Sequence, residues 1–103
     1  MENISFSNHI SWQLIPNKKF AFAYNLYTKQ YYKFKETAMV IWMYIAENEP
    51  IKKSDLVLKV AKHYEIDMKI IELDVNEFLA SLYEKGLIEY NGRDIYQERI
   101  CKE

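Results

Sequence analysis

The sequence predicts an α+β fold of winged-helix-like character, with a three-stranded antiparallel sheet followed by three helices and a C-terminal β-hairpin. Three observations carry that prediction. The hydrophobic period changes from 2 to 3.6 near Glu36: Tyr31, Tyr32 and Phe34 interleave with Lys33 and Lys35, whereas Ala38, Ile41, Trp42 and Ile45 recur at i, i+3, i+4 and i+7. Two further alternating stretches precede this one, each closed by turn residues. Near the other end, Asn91-Gly92 follows the apolar run Leu87 to Tyr90 and is the favoured pair for a type I′ turn.

In chain order, residues 1–10 are polar and aperiodic and read as a loose arm. Ser11 to Ile15 alternates as a first strand, which Pro16 ends. Pro16 to Lys19 is a turn. In the second strand Phe20, Phe22 and Tyr24 form a bulky face, and Ala21 and Ala23 a small one fit to lie close to another surface. Asn25 to Lys29 closes a hairpin onto the third strand, Gln30 to Phe34, making a meander.

The first helix runs from Glu36 to Glu47. Every residue from Ala38 to Ala46 is apolar or aromatic, so it can hardly keep a solvated face, and Asn48-Glu49-Pro50 stops it because proline drives its predecessor out of the helical region. Ser54 is placed to cap a second helix, Asp55 to Glu65, with Leu56, Val57, Val60, Ala61 and Tyr64 as its stripe. Asp67 is placed to cap the third, which runs to Lys85 with Ile71, Val75, Phe78, Leu79 and Leu82 at helical spacing and Gly86 at its C′ position. After Asn91-Gly92, Asp94 to Gln97 would return beside the last strand.

A chain of 103 residues fits one domain, residues 1–103, with a core over about 11–90 between the arm and a tail at 98–103. Half of its residues are hydrophobic, which places it away from disordered compositions. No apolar run approaches the ~20 residues of a bilayer span, and the N-terminal stretch has neither a basic nor an apolar signal region, so a cytoplasmic location without membrane contact is expected. Cys101 stands alone in a charged tail and cannot form an internal disulfide. The net charge of -1 hides an asymmetry. Through residue 53, Lys18, Lys19, Lys29, Lys33, Lys35, Lys52 and Lys53 outnumber Glu2, Glu36, Glu47 and Glu49, whereas acids dominate from Ser54 onward. A basic sheet would attract an acidic peptide, or its lysines would simply keep a strand edge from aggregating.

Catalytic chemistry finds no footing. His9 and His63 lie far apart, and no Cys/His/Asp/Glu set has zinc spacing. Gly86 and Gly92 are the only glycines and both serve turns, which leaves no phosphate loop. Asp74, Glu77 and Glu84 have no paired nucleophile and read as solvated carboxylates. No enzyme activity and no metal, nucleotide or redox cofactor is therefore expected. Two binding readings remain. A winged-helix DNA-binding transcriptional regulator would use the third helix for recognition, but Glu72, Asn76, Glu77, Ser81 and Glu84 would confront phosphates with only Lys69 and Lys85 as counterweights. A peptide-binding domain would add a peptide to the aromatic, lysine-rich third strand.

LYTKQYYKFKETAMVIW, residues 26–42, and DVNEFLASLYEKGLIEY, residues 74–90, resemble the PqqD-like proteins, the RiPP recognition elements that bind leader peptides in natural product biosynthesis. Thr28, Tyr31, Tyr32, Phe34, Thr37, Ala38, Ile41, Trp42, Asp74, Val75, Phe78, Leu79, Leu82, Gly86, Leu87 and Ile88 occupy the family's pattern. Lys29 replaces its turn glycine, Phe34-Lys35 its Leu-Asn, and Asn48-Glu49-Pro50 its Asp-Gly. The resemblance implies a non-catalytic, discrete peptide chaperone acting in trans, monomeric or weakly dimeric. It would deliver a precursor to a modifying enzyme such as a radical SAM maturase or a lasso-peptide protease, with no nucleic acid as partner. It also implies a site: the third strand, Lys29, Gln30, Tyr31, Tyr32, Lys33 and Phe34, with a cleft lined from the third helix by Ile71, Val75, Leu79 and Tyr83. Trp42, Ile41, Phe78 and Leu82 are expected in the core. If Phe34 takes the family's core leucine position, Tyr32 faces the helices with it, and Tyr31 and Lys33 face away.

Overall fold

The computed structural model describes residues 3–15, 17 and 19–96. Strands β2 (Ile10–Ile15), β3 (Phe20–Asn25) and β4 (Gln30–Lys35) form the expected antiparallel meander, in the order β2-β3-β4. Its small face is buried as predicted: Ala21 and Ala23 are fully inaccessible, which lets helix α1 (Glu36–Asn48) lie close against β3 and β4. Pro50 ends that helix, with Glu49 extended at ψ 138°.

The N-terminal segment is not a loose arm. Asn3–Phe6 is strand β1, the middle of a second antiparallel sheet between β5 (Ile51–Lys52) and β6 (Ile88–Tyr90). Ile4 pairs with both Ile51 and Tyr90, and Phe6 with Ile88. The physical reason is that Ile4 and Phe6 cover the side of α1 that the meander leaves bare, and both are buried. The Phe6 amide also donates to Glu49 Oε1 (3.0 Å), fastening the strand to the end of α1.

Helix α2 (Lys53–Tyr64) starts one residue ahead of Ser54, so Ser54 lies in its first turn instead of capping it; β5 hands the chain over already extended, and the capping position falls to Lys52, which has no side-chain oxygen to offer. Helix α3 (Met68–Glu84) has the predicted ends. Asp67 Oδ1 accepts from the Lys69 amide (2.8 Å). Gly86, at φ +72°, donates to Tyr83 O while Leu87 donates to Leu82 O, the paired bonds of a Schellman stop. Asn91 and Gly92 both have positive φ and close a single Tyr90↔Arg93 bridge. Among the described residues no return strand follows: Asp94 Oδ1 accepts from the Tyr96 amide, and β6 takes its ladder from β1. Gln97 lies outside the described residues.

Trp42 is fully buried at the centre, stacked on Phe6 (4.4 Å between ring centroids) and Phe34 (4.9 Å). Ile41 and Leu82 join it in the core. A polar seam binds the chain's distant parts. His9, expected in the arm, is buried, with Nε2 2.9 Å from Gly86 O and its ring stacked on Tyr27. Asn25, fully buried, accepts from the Tyr27 amide (2.9 Å) and donates to Lys85 O (2.8 Å). His63 is exposed and meets Tyr44 Oη at 3.1 Å.

Three outcomes follow from this packing. Trp42→Ala should cost about 3–5 kcal/mol, as a large core truncation does; a circular dichroism melt matching the parent's would remove Trp42 from the core. Lys29 sits at φ +64°, where a side chain costs roughly 1–2 kcal/mol and glycine almost nothing, so Lys29→Gly should raise the urea midpoint. Burial, and then the Asp94 carboxylate, push the Glu89 carboxyl above its ordinary range, with Glu49 adding and His9 opposing. A carboxyl raised in the folded state binds its proton more tightly there, so stability falls as pH rises from the ordinary carboxylate range through the raised value. Glu89→Gln should therefore melt higher than the parent at neutral pH, with the difference closing in acid.

Candidate peptide-binding groove

The β4 strand has β3 on one side and, among the described residues, no strand on the other. Which of its backbone groups face outward follows from the register. The Leu26 amide donates to His9 O (2.9 Å), which makes Ile10 and Asn25 a non-hydrogen-bonded pair and turns the Asn25 backbone toward β4. Asn25 pairs with Gln30, so Gln30, Tyr32 and Phe34 bond to β3. Tyr31, Lys33 and Lys35 then present their N–H and C=O groups at the free edge. A five-residue extended stretch thus carries three outward donor–acceptor sets.

Beside that edge runs a groove whose other wall is α3. Asp74, Phe78, Ser81 and Lys85 recur at i, i+4, i+7 and i+11 on one face of the helix, all exposed or half-buried. Phe78 meets Phe34 edge-on (5.4 Å), and Lys85 Nζ, hydrogen-bonded to Ser81 Oγ, sits 5.5 Å from the Tyr32 ring. At the other end Thr37, Ala38, Ile41, Asp74 and Phe78 enclose a depression of about 170 Å³. The groove is therefore apolar along its floor, cationic where β4 begins and anionic where α1 begins.

The predicted site residues divide. Tyr32 and Phe34 turn toward the helices; Tyr31 and Lys33 turn away, Tyr31 being 66% exposed. On that outer face Tyr31 packs on Phe22 (5.3 Å) and Lys33 Nζ over Phe20 (4.3 Å). Lys29 and Gln30 are exposed at the hairpin end. Ile71, Val75 and Leu79 are turned into the core, the most accessible being 5% exposed, and so do not line an open cleft. Tyr83 points to the opposite side of α3 and packs on Tyr90 (5.1 Å). Phe78, expected in the core, is half-buried and lies against Phe34 in the groove floor. Asp74, Ser81 and Lys85 also border the groove and were not among the expected site residues; their spacing was visible, but as a polar flank it resembled ordinary solvated helix surface.

A larger concavity of about 500 Å³ lies elsewhere, between β5 and α2, and shares no residue with the groove. Among the described residues no group of His, Cys, Asp and Glu is arranged to hold a metal ion, and no helix is long and apolar enough to cross a membrane.

Two solved structures share the fold. TbiB1 in complex with the TbiA(beta) leader peptide superposes with a TM-score of 0.73 at 22% identity, covering 82% of this chain and 94% of that one. Lasso peptide synthetase B1 complexed with the leader peptide gives 0.69 at 17% identity, covering 84% and 98%. No curated protein sequence matches the chain. The family described as Coenzyme PQQ synthesis protein D (PqqD) matches residues 21–88, a stretch that spans the hairpin, the free edge, helices α1, α2 and α3 and the start of β6. With well over half of its length so matched, the chain belongs to the PqqD family.

Proposed function

We propose that this protein binds the leader region of a ribosomally synthesised precursor peptide as a fourth strand on β4 and presents it to a peptide-modifying enzyme. The observation that carries the reading is the free β4 edge, with its outward backbone groups at Tyr31, Lys33 and Lys35, running beside the Phe34–Phe78 floor. Strand addition needs both parts: the edge supplies backbone hydrogen bonds, and the groove receives alternate side chains. Both structural relatives are complexes with leader peptides, which supports the same use of the same fold here. The role is non-catalytic, that of a chaperone within natural product biosynthesis that serves a modifying enzyme such as a radical SAM maturase or a lasso-peptide protease.

DNA recognition by α3 fits poorly. Glu72, Asp74, Glu77 and Glu84 are exposed on it, whereas duplex affinity comes from neutralising phosphates.

The test removes one outward donor. Each added backbone hydrogen bond is worth about 0.5–1.5 kcal/mol net, and an incoming strand also cannot close on a proline ring. Lys33→Pro should weaken leader binding by at least about tenfold while the melt stays near the parent's, because the lost N–H faces solvent in the free protein. Tyr31→Ala should bind nearly as the parent does. Amide chemical shifts during titration with synthetic precursor peptides decide it: perturbations confined to α2 or to the Asn91-Gly92 turn, with β4 silent, would sink strand addition.

A further inference from the structure

Two charged groups of opposite sign stand at the ends of the groove. Lys85 is half-buried at the end of the helix, and its amine is fixed by Ser81 Oγ and the Tyr32 ring, so it is a positioned cation and not a freely waving one. Asp74 is exposed at the rim of the depression formed with Thr37, Ala38, Ile41 and Phe78, and it makes no hydrogen bond or ion pair among the described residues. Between them lies Phe78 against Phe34.

Their spacing matches a strand. One i, i+4 step on a helix rises about 6 Å, and one i, i+2 step on a strand about 6.6 Å, so Asp74 and Phe78 stand opposite successive same-face side chains of a peptide lying along β4. Lys85 is further along, but helical side chains lean toward the N-terminus and its amine reaches back to Ser81, which brings the charge to about one more strand step from Phe78. Three groove-facing peptide positions, i, i+2 and i+4, therefore meet an anion, an aromatic ring and a cation in turn.

We infer that the groove selects leaders by charge order: a basic side chain at the Asp74 end, an apolar one over Phe78, and an acidic one at the Lys85 end. The inference rests on the strand-addition reading and adds to it the chemical class of peptide. Backbone pairing is blind to sequence, so discrimination falls to these side chains. Seating a strand removes water from both ends of the groove, which strengthens matched pairs and penalises reversed ones.

The experiment uses three blocked nonapeptides on a threonine background. One carries Lys, Leu and Glu at positions 3, 5 and 7; the second carries Glu, Leu and Lys; the third has Leu alone. Binding is read from β4 amide shifts, with the parent chain and with the double variant Asp74→Lys, Lys85→Glu. The parent should prefer one charged peptide over the other by about tenfold, and the variant should invert the preference, whichever direction the peptide runs. Shifts in β4 with all three peptides, but equal affinities or an order that the variant leaves unchanged, would overturn charge selection and leave strand addition standing. A β4 silent to every peptide, the neutral one included, would overturn both. Should the double variant fail to melt cooperatively, Asp74→Asn and Lys85→Gln serve singly: each should reduce the preference severalfold, and an unchanged ratio in both would count against the inference.

Discussion

The burial of Trp42 is the constraint on which the other parts depend. A small core has few ways to hide an indole, and here it lies between Phe6 from one sheet and Phe34 from the other, so α1 becomes the plane against which both sheets are set. Its Nε1–H finds no partner among the described residues, at a cost of about 1–3 kcal/mol that the surrounding apolar burial outweighs. The ring series continues outward from Trp42 through Phe34 to Phe78, and so the groove floor is a direct extension of the core. A floor pinned in this way is preorganised, and a peptide that settles on it spends little on ordering the protein.

The width of the groove is set at both ends by covalent or polar ties. At one end β4 runs straight into α1, whose first turn supplies Thr37 and Ala38 to the depression. At the other, Asn25 caps the hairpin loop through the Tyr27 amide and reaches across to Lys85 O, joining the start of β4 to the end of α3. One buried amide side chain thus fixes both the turn that aims the edge strand and the helix that walls it. His9 reinforces the junction from the N-terminal side, on the Gly86 carbonyl and the Tyr27 ring.

Most of this was readable locally. The change of period at Glu36, the cap at Asp67 and the stop at Gly86 are signals carried within a few residues, and the structure has all three. Strand β1 was not readable, because Asn-Ile-Ser-Phe acquires its identity from Ile51 and Ile88, far away in the chain. Ser54 misled for a related reason: a good cap residue does not cap where the preceding strand has already set the entry of the helix. Facing along β4 followed from simple alternation once Phe34 was placed inward. On α3 the helical stripe separates buried from exposed but cannot tell a core residue from a groove residue one position around the cylinder. Val75 and Leu79 went to the first and Phe78 to the second.

The second sheet also bears on where a working fragment of this protein begins. The stretch that matches the family starts at residue 21, and a piece cut there would contain the edge strand and the groove helix. It would lack β1, leaving β5 and β6 with no strand between them and one face of the Trp42 ring open to water, and it would lack β2, leaving β3 as a second raw edge. Excision or fusion of this domain must therefore respect Asn3, since the smallest piece that contains the groove is not the smallest piece that can hold it in shape.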